Sequence, residues 1–265
     1  VVNMNEFERW LKNAKDSEIK DELLSVVGKE KEIEERFYKS LSFGTGGLRG
    51  VIGAGTNRMN IYTVGKATFG LAEYMLETGG NSIVIAYDSR NKSAEFARLS
   101  AEIMSSRGIK AYLFSELTPT PVLSFAVRYL KASAGIVITA SHNPKEYNGY
   151  KVYNSLGCQI TDEAAAAITE NINKYDYFND FTPNEDFIEI LDERVKRAFL
   201  EAIKAFSLTK ITDRNAPSIV YSPLHGTGRK YVQAILQEMG VKEVHTVKEQ
   251  ELPDGRFPTV ASPNP

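Results

Sequence analysis

The sequence has one cysteine, nearly balanced charges and no long hydrophobic run. The single cysteine, Cys158, excludes an internal disulfide and fits a reducing compartment. The net charge of -2, with both signs interspersed, argues against binding to nucleic acid or to an acidic membrane surface. No apolar run approaches the ~20 residues needed to span a bilayer, and the polar N-terminus is not a secretory signal. We therefore expect a cytoplasmic protein without membrane or nucleic-acid partners; the oligomeric state cannot be predicted.

The 265 residues suffice for one large domain or two ordinary ones, and 42% of them are hydrophobic. Short β-branched runs alternate with helical patterns about every 25 to 30 residues, which is typical of an α/β layered domain. We expect a layered αβα domain with a mixed sheet, in which Cys158 is a small core residue. The periodicity also predicts helices over Ile61–Glu77 and Ser93–Ser106, and a long helix from about Glu185 to Phe206.

Three units are predicted along the chain. Residues 1–40 form a helical arm, residues 41–206 form the main domain, and residues 207–265 begin a second α/β domain. Two strands and one helix make a poor core for this second domain. We therefore expect the sequence to be the N-terminal part of a longer protein.

A serine follows a buried strand in the middle of the main domain. The strand over Gly135–Ala140 leads to Ser141, and Asn143-Pro144 prevents its continuation. Open α/β folds bind ligands at this edge of the sheet, and Lys151 lies close enough in sequence for its cation to fold back towards the serine. A plain Asx-Pro turn is the alternative interpretation. A Ser-His-Asp hydrolase is a poorer one, because the G-x-S-x-G elbow is absent and His142 is adjacent to the serine.

A glycine-rich loop precedes these elements. Glycines 44, 46 and 47 permit close backbone approach, so that amide groups can cradle an anion. Arg49 adds a forked donor for phosphate oxygens. A glycine-rich turn with a surface arginine is the alternative, because the loop fits neither standard nucleotide-binding pattern.

Four segments stand out together: FGTGGLRG (43–50), TPTP (118–121), VITASHNPKEYNGYK (137–151) and SPLHGTG (222–228). In combination they resemble the α-D-phosphohexomutase superfamily, the phosphoglucomutases and phosphomannomutases. Within it the first and the last segment look most like the branch that contains phosphoglucomutase-2 and phosphopentomutase-like enzymes.

The resemblance implies roles for individual residues. Ser141 is the phosphoserine that donates and recovers a phosphoryl group, and Lys151 and His142 are further catalytic candidates. Arg49, Thr45 and Gly46 are the candidates for binding substrate phosphate. The implied enzyme is an intramolecular phosphotransferase that interconverts the 1- and 6-phosphates of a hexose, with glucose favoured. Phosphopentomutase and phosphomannomutase activities are alternatives, and glucose 1,6-bisphosphate is the implied activator and intermediate.

The resemblance also implies Mg²⁺, bound by a phosphoryl oxygen on Ser141 and by three aspartates of a D-x-D-x-D-R loop. That loop is absent from the sequence, in which Asp254-Gly255-Arg256 is the nearest approach. We therefore expect the remaining ligands beyond Pro265, and we expect this piece alone to be inactive. A non-catalytic phosphate-binding α/β module is the rival from a different functional class.

Overall fold

A mixed β-sheet forms the centre of the main domain. The computed structural model of the chain describes residues 2–208, 211–212, 215–261 and 263. Within them the sheet has the strand order β1-β5-β4-β2-β3-β6, with β2, β3, β4 and β6 parallel and β5 antiparallel to both β1 and β4. Its strands are β1 (Leu48–Val51), β2 (Ser82–Tyr87), β3 (Lys110–Phe114), β4 (Ala134–Ile138), β5 (Tyr147–Asn154) and β6 (Ile188–Leu191).

Helices cover both faces of this sheet. The helices are α1 (Val2–Asn13), α2 (Ser17–Ser25), α3 (Glu30–Phe37), α4 (Ile61–Glu77), α5 (Ser93–Ser106), α6 (Thr120–Tyr129), α7 (Asp162–Asn173), α8 (Glu193–Ala205), α9 (Arg229–Glu238) and α10 (Lys248–Glu251). One apolar core joins the sheet to α4, α5 and α7, and a second core joins the opposite face to α6 and α8. The predicted αβα layering and mixed sheet are thereby confirmed.

The N-terminal helices build a small aromatic core of their own. Trp10 is fully buried, and its indole nitrogen donates to Glu6 at 3.1 Å. Four aromatic rings surround it at centroid distances of 5.3 to 5.7 Å, from Phe37, Tyr62, Tyr177 and Phe178. Because two of these rings follow α7 in the chain, the helical arm is fastened to the main domain. The predicted boundaries at residues 40 and 206 stay predictions.

Replacing Trp10 with alanine should destabilise the arm by about 3–5 kcal/mol, because the change removes a fully buried ring and leaves a cavity. Urea unfolding followed by circular dichroism measures this loss. Tyr38→Ala is the matched control, since Tyr38 is 52% exposed. Equal unfolding midpoints for the two variants would contradict the role of Trp10 as the centre of this core.

The second unit begins with a parallel pair of strands, β7 (Ser218–Tyr221) and β8 (Glu243–Thr246). Helix α9 connects them and packs against α8 of the main domain. Tyr231 lies at this contact, with its ring centroid 6.1 Å from that of Phe199. Burial raises the pKa of the Tyr231 hydroxyl to about 12. The second unit is therefore seated on the main domain through a largely buried aromatic residue.

Two sequence predictions are wrong. The helix predicted from Glu185 to Phe206 is instead a short 3₁₀ turn (Glu185–Phe187), followed by strand β6 and helix α8. β6 pairs in parallel with β3, and the Asp192 side chain accepts from the Arg194 N–H at 2.9 Å to begin the helix. Cys158 is exposed rather than buried, because it lies in the turn after β5.

Candidate active site

Ser141 lies in the loop between β4 and β5, which we call the serine loop (139–146). The strand predicted before it is confirmed as β4, which is parallel to β2, so the loop occupies the carboxyl edge of the parallel strands. Ser141 is exposed, and its φ of 56° is in the left-handed region. A non-glycine residue pays about 1 kcal/mol or more for this conformation, so surrounding contacts must hold the loop. One of them joins the Ser141 N–H to Thr139 Oγ1 at 2.9 Å.

Arg90 holds the serine loop from beneath. Its side chain is fully buried, and its two terminal nitrogens donate four hydrogen bonds to backbone carbonyl groups. The acceptors are the carbonyl oxygens of Ser141 (2.8 Å), Asn143 (2.6 Å), Pro144 (2.8 Å) and Tyr147 (3.0 Å). The planar guanidinium is suited to this work because its donors diverge in a rigid fork. Asp88, Ser89 and Arg90 form a turn directly after β2, and the Arg90 side chain links that turn to the serine loop.

Lys151 and Arg49 project from one face of the sheet. Arg49 lies opposite Gly149 in the β1–β5 pairing, and Lys151 is two residues further along β5. Since successive side chains of a strand alternate between faces, the two cations share a face. Burial lowers the pKa of the Lys151 ammonium, and the Arg49 guanidinium lowers it further. Within the described part of the chain, no carboxylate forms an ion pair with either of them.

His142 lies beside the serine without the geometry of a general base. Its Nδ1 atom is 3.5 Å from Ser141 Oγ, and its side chain is exposed. A base that abstracts a proton is normally about 2.6–3.2 Å from the donor atom. The structure therefore gives no support to a Ser-His-Asp hydrolase.

Thr45 and Gly46 form the tip of a tight hairpin that precedes β1. The hairpin is closed by Gly44 and Gly47, whose backbones exchange hydrogen bonds of 2.7 and 3.2 Å. Gly47 packs against the backbone of β5, since a Cβ atom there would lie 1.8 Å from the Tyr150 carbonyl oxygen. Neither tip residue is among those that line the cleft beside Ser141. Close packing therefore explains Gly47, and the predicted phosphate contacts of Thr45 and Gly46 stay predictions.

A cleft with a volume of about 490 Å³ separates the serine loop from the second unit. Its wall in the main domain includes Asp88, Thr120, Thr139, Ser141, His142 and Lys151. The opposite wall includes Tyr221, Ser222, Leu224, Thr227 and Gly228. A space of this size suits a small polar ligand. The arrangement presents an exposed hydroxyl and a half-buried cation to the same open cleft.

The opposite wall is held by His225, which is buried and has a φ of 60°. Its ring nitrogens lie 3.0 Å from the Leu252 carbonyl oxygen and 2.9 Å from Thr259 Oγ1. His225 is thus part of a structural turn. Because both ring nitrogens have partners within the second unit, the imidazole fixes the wall and is not directed at a ligand.

Asp88 and Thr120 also line the cleft, and sequence reasoning missed Thr120. Burial raises the pKa of the Asp88 carboxyl, whereas hydrogen bonds from Thr139 and Ser93 act to lower it. Ser93 Oγ donates to Asp88 at 2.7 Å. The sequence signal for Asp88 was its position directly after β2, and that for Thr120 was the TPTP segment at the start of α6.

The cleft does not by itself supply a metal site. No group of three or more His, Cys, Asp or Glu side chains could hold a metal ion among the described residues. Asp88, the carboxylate of the cleft wall, is already bound by Ser93 and by the Arg90 backbone N–H at 2.9 Å. By themselves, the described residues therefore do not form a binding site for Mg²⁺. Nor does any described helix have the length and apolar character needed to cross a membrane.

Comparison with known proteins gives two matches to domain families. The phosphoglucomutase/phosphomannomutase alpha/beta/alpha domain I matches residues 40–178, and domain II of the same family matches residues 197–265. A phosphoglucomutase of Staphylococcus haemolyticus (strain JCSC1435) is 40% identical, over 88% of this chain and 43% of its own length. A phosphoglucomutase of Staphylococcus saprophyticus is 38% identical, over 97% of this chain and 47% of its own. The chain thus spans less than half the length of these curated relatives.

Solved structures share the fold. The crystal structure of a Thermus thermophilus protein, provisionally described as a phosphomannomutase, is similar with a TM-score of 0.74 and 31% identity. The similarity covers 84% of this chain and 48% of that one. A phosphoglucomutase/phosphomannomutase family protein from Burkholderia thailandensis has a TM-score of 0.67 at 22% identity, over 83% of this chain and 45% of that one.

Proposed function

Because the chain belongs to the phosphoglucomutase/phosphomannomutase family of the α-D-phosphohexomutase superfamily, we propose that the protein is a phosphosugar mutase whose Ser141 carries the phosphoryl group. The observation that carries this proposal is the exposed Ser141 hydroxyl in a cleft that Lys151 also lines. A phosphoserine brings about two negative charges, which nearby cations must offset. Lys151 and Arg49 are available for this task.

The chemistry needs positioning and charge neutralisation more than it needs covalent activation. In the first transfer the sugar hydroxyl oxygen bonds to phosphorus while the bond from phosphorus to Ser141 Oγ breaks. The Lys151 ammonium donates a proton to the departing Oγ and takes up the proton of the sugar hydroxyl, so that its charge is unchanged. The lowered pKa of Lys151 makes its ammonium a readier proton donor. In the second transfer Ser141 Oγ bonds to the other phosphorus of the bisphosphate, the sugar oxygen leaves, and Lys151 passes the serine proton to that oxygen. Arg49 would bind phosphoryl oxygens, and His142 would orient the loop.

We assign the substrate as a hexose monophosphate, with glucose favoured because the relatives at 38% and 40% identity are phosphoglucomutases. Phosphomannomutase activity is the second candidate, favoured by the Thermus thermophilus protein at 31% identity. Glucose 1,6-bisphosphate would be the intermediate, and Mg²⁺ enters the proposal through the family alone. We propose that the reaction takes place in the cytoplasm, and the single cysteine supports this because it fits a reducing compartment.

Intact-mass measurement of the complete gene product tests the proposal. We expect the mass to include one phosphoryl group, restored by glucose 1,6-bisphosphate after dephosphorylation, and we expect Ser141→Ala to lose it entirely. Ser155→Ala is the matched control, because Ser155 is an exposed serine beyond the far end of β5. An unmodified protein that merely binds the sugar phosphate would instead identify a phosphate-binding module.

A further inference from the structure

Arg90 lies between the serine loop and the second unit, and it contacts both. On the side of the second unit it meets residues 254–257, which we call the docking segment. We propose that Arg90 is a positioning residue that holds the serine loop in its transfer conformation only while the docking segment is seated against it. The purpose of this coupling rests on the proposed function of Ser141, but the coupling itself can be measured without any phosphosugar.

The guanidinium donates all four of its terminal N–H groups, three to carbonyl groups of the serine loop and the fourth to Tyr147 at the start of β5. A carbonyl oxygen that accepts from Arg90 cannot turn towards the phosphoryl oxygens and repel them. The left-handed conformation of Ser141 depends on the same bonds, since one acceptor is the Ser141 carbonyl itself. Arg90 thus fixes the position of the serine hydroxyl. It also keeps the carbonyl ends of the neighbouring peptide groups turned away from that hydroxyl.

The contact with the docking segment is aromatic and close-packed. The Phe257 ring lies over the guanidinium, with its centroid 5.4 Å from Arg90 Cζ. Phe257 is 6% exposed and has a φ of 47°, a conformation that a phenylalanine keeps only where packing holds it. Gly255 packs on the turn beside Arg90, because a Cβ atom there would lie 2.7 Å from the Asn91 nitrogen and 2.9 Å from the Ser89 carbonyl oxygen.

A second path, through hydrogen bonds of Asn91 and Asn148, also links the docking segment to the main domain. The Asn91 carbonyl oxygen accepts from the fully buried side chain of Asn148 at 2.9 Å. The other end of that side chain accepts from the Gly149 N–H at 2.8 Å, two residues before Lys151. The turn on which Gly255 packs is therefore hydrogen-bonded to the strand that carries the catalytic candidate.

The coupling follows from the position of Arg90 between the serine loop and the docking segment. The docking segment keeps water away from one side of the guanidinium, so the four carbonyl groups compete with little solvent for its donors. When the segment leaves, water reaches the guanidinium, the hydrogen bonds weaken, and the serine loop gains mobility. The Ser141 hydroxyl would thus be positioned for transfer only in the closed arrangement of the two units.

Hydrogen–deuterium exchange of the unphosphorylated protein tests this coupling. Gly255→Ala puts a methyl group against the backbone of Ser89 and Asn91 and so displaces the docking segment, while Arg90 and Phe257 stay unchanged. Phe257→Leu removes the aromatic ring while keeping an apolar side chain. Arg90→Lys keeps the charge but loses the fork. The controls are Gly65→Ala, where a Cβ atom makes only an ordinary contact at 3.5 Å, and Arg107→Lys, whose ion pair with Glu73 lies at the far end of α5.

We expect exchange in peptides that cover 139–147 to rise about tenfold or more in all three variants, and exchange in β2 and β4 to stay unchanged. Phe257→Tyr, which keeps a ring over the guanidinium, should restore protection. Unchanged loop exchange in both Gly255→Ala and Phe257→Leu would overturn the coupling, even if Arg90→Lys loosens the loop. The intact mass of the protein, which reports phosphorylation of Ser141, tests the mutase proposal separately. Either proposal can therefore fail without the other.

Discussion

Replacing Lys151 with methionine is expected to abolish phosphoryl transfer and, at the same time, to stabilise the unphosphorylated protein. In the free protein the half-buried Lys151 ammonium lies near the Arg49 guanidinium, and both burial and this like charge disfavour its charged form. Methionine keeps an unbranched apolar chain of similar length and removes the charge. A loss of about 10²–10⁴-fold in the transfer rate is expected for a group that moves the proton in this reaction.

The pH dependence of the stabilisation follows from the direction of the pKa shift. Because the pKa of Lys151 is lower in the folded protein, folding carries a penalty wherever the amine is charged in both states. The penalty is fully present at neutral pH and fades as the pH rises from the folded-state pKa to about 10.4, the value for an unfolded lysine. The advantage of Lys151→Met should therefore be present at pH 7 and disappear in this alkaline range.

Thermal unfolding of the unphosphorylated protein, measured at neutral and at alkaline pH, checks the stability, and single-turnover transfer from phosphoserine to glucose 1-phosphate checks the activity. Lys145→Met is the matched control, because Lys145 is an exposed lysine of the serine loop, six residues before Lys151. A less stable Lys151→Met protein at neutral pH would contradict the burial argument. Full transfer activity in that variant would remove Lys151 from the proposed chemistry.

Local sequence signals were sufficient for the parts of the fold that local interactions determine. α4 and α5 begin and end at the predicted residues. The side chain of Asn60, the residue before α4, accepts from two N–H groups of the first turn, and α5 is followed by Gly108 with a φ of 74°. The strand before Ser141 was predicted because a β-branched run ends at Asn143-Pro144. In each case the residues that determine the structure lie within a few positions of the helix or strand end that they determine.

Features that depend on distant partners were not predictable in this way. β6 has a sequence that also suits the first turns of an amphipathic helix, and its parallel pairing with β3, more than 70 residues earlier in the chain, decides the outcome. The hydrogen bonds from Arg90 to the serine loop could not be predicted, because their acceptors are backbone carbonyl groups about 50 to 57 residues away. Carbonyl groups carry no side-chain signature, so no pattern of residues could reveal them.

The glycines of the hairpin before β1 serve two different purposes: Gly47 is needed for close packing, and Gly46 is proposed to contact phosphate. Gly47→Ala should destabilise the protein by about 3 kcal/mol, because alanine is strained at a φ of 73° and its Cβ would lie 1.8 Å from the Tyr150 carbonyl oxygen. Tyr150 is fully buried, so its backbone can move away only by disturbing the core between β5 and α4. The same displacement would shift Lys151, whose Cα would be 3.0 Å from the new methyl group.

Unfolding in urea and single-turnover transfer, measured on the same set of variants, separate packing from phosphate binding. Gly44→Ala should be nearly neutral in both measurements, because no atom lies within 4 Å of a Cβ at that position. Gly46 is equally open, so Gly46→Ala should keep its stability, and a loss of transfer there would support the proposed contact with phosphate. A Gly47→Ala protein as stable as Gly44→Ala would contradict the packing argument, since the close approach to β5 would then cost nothing to relieve.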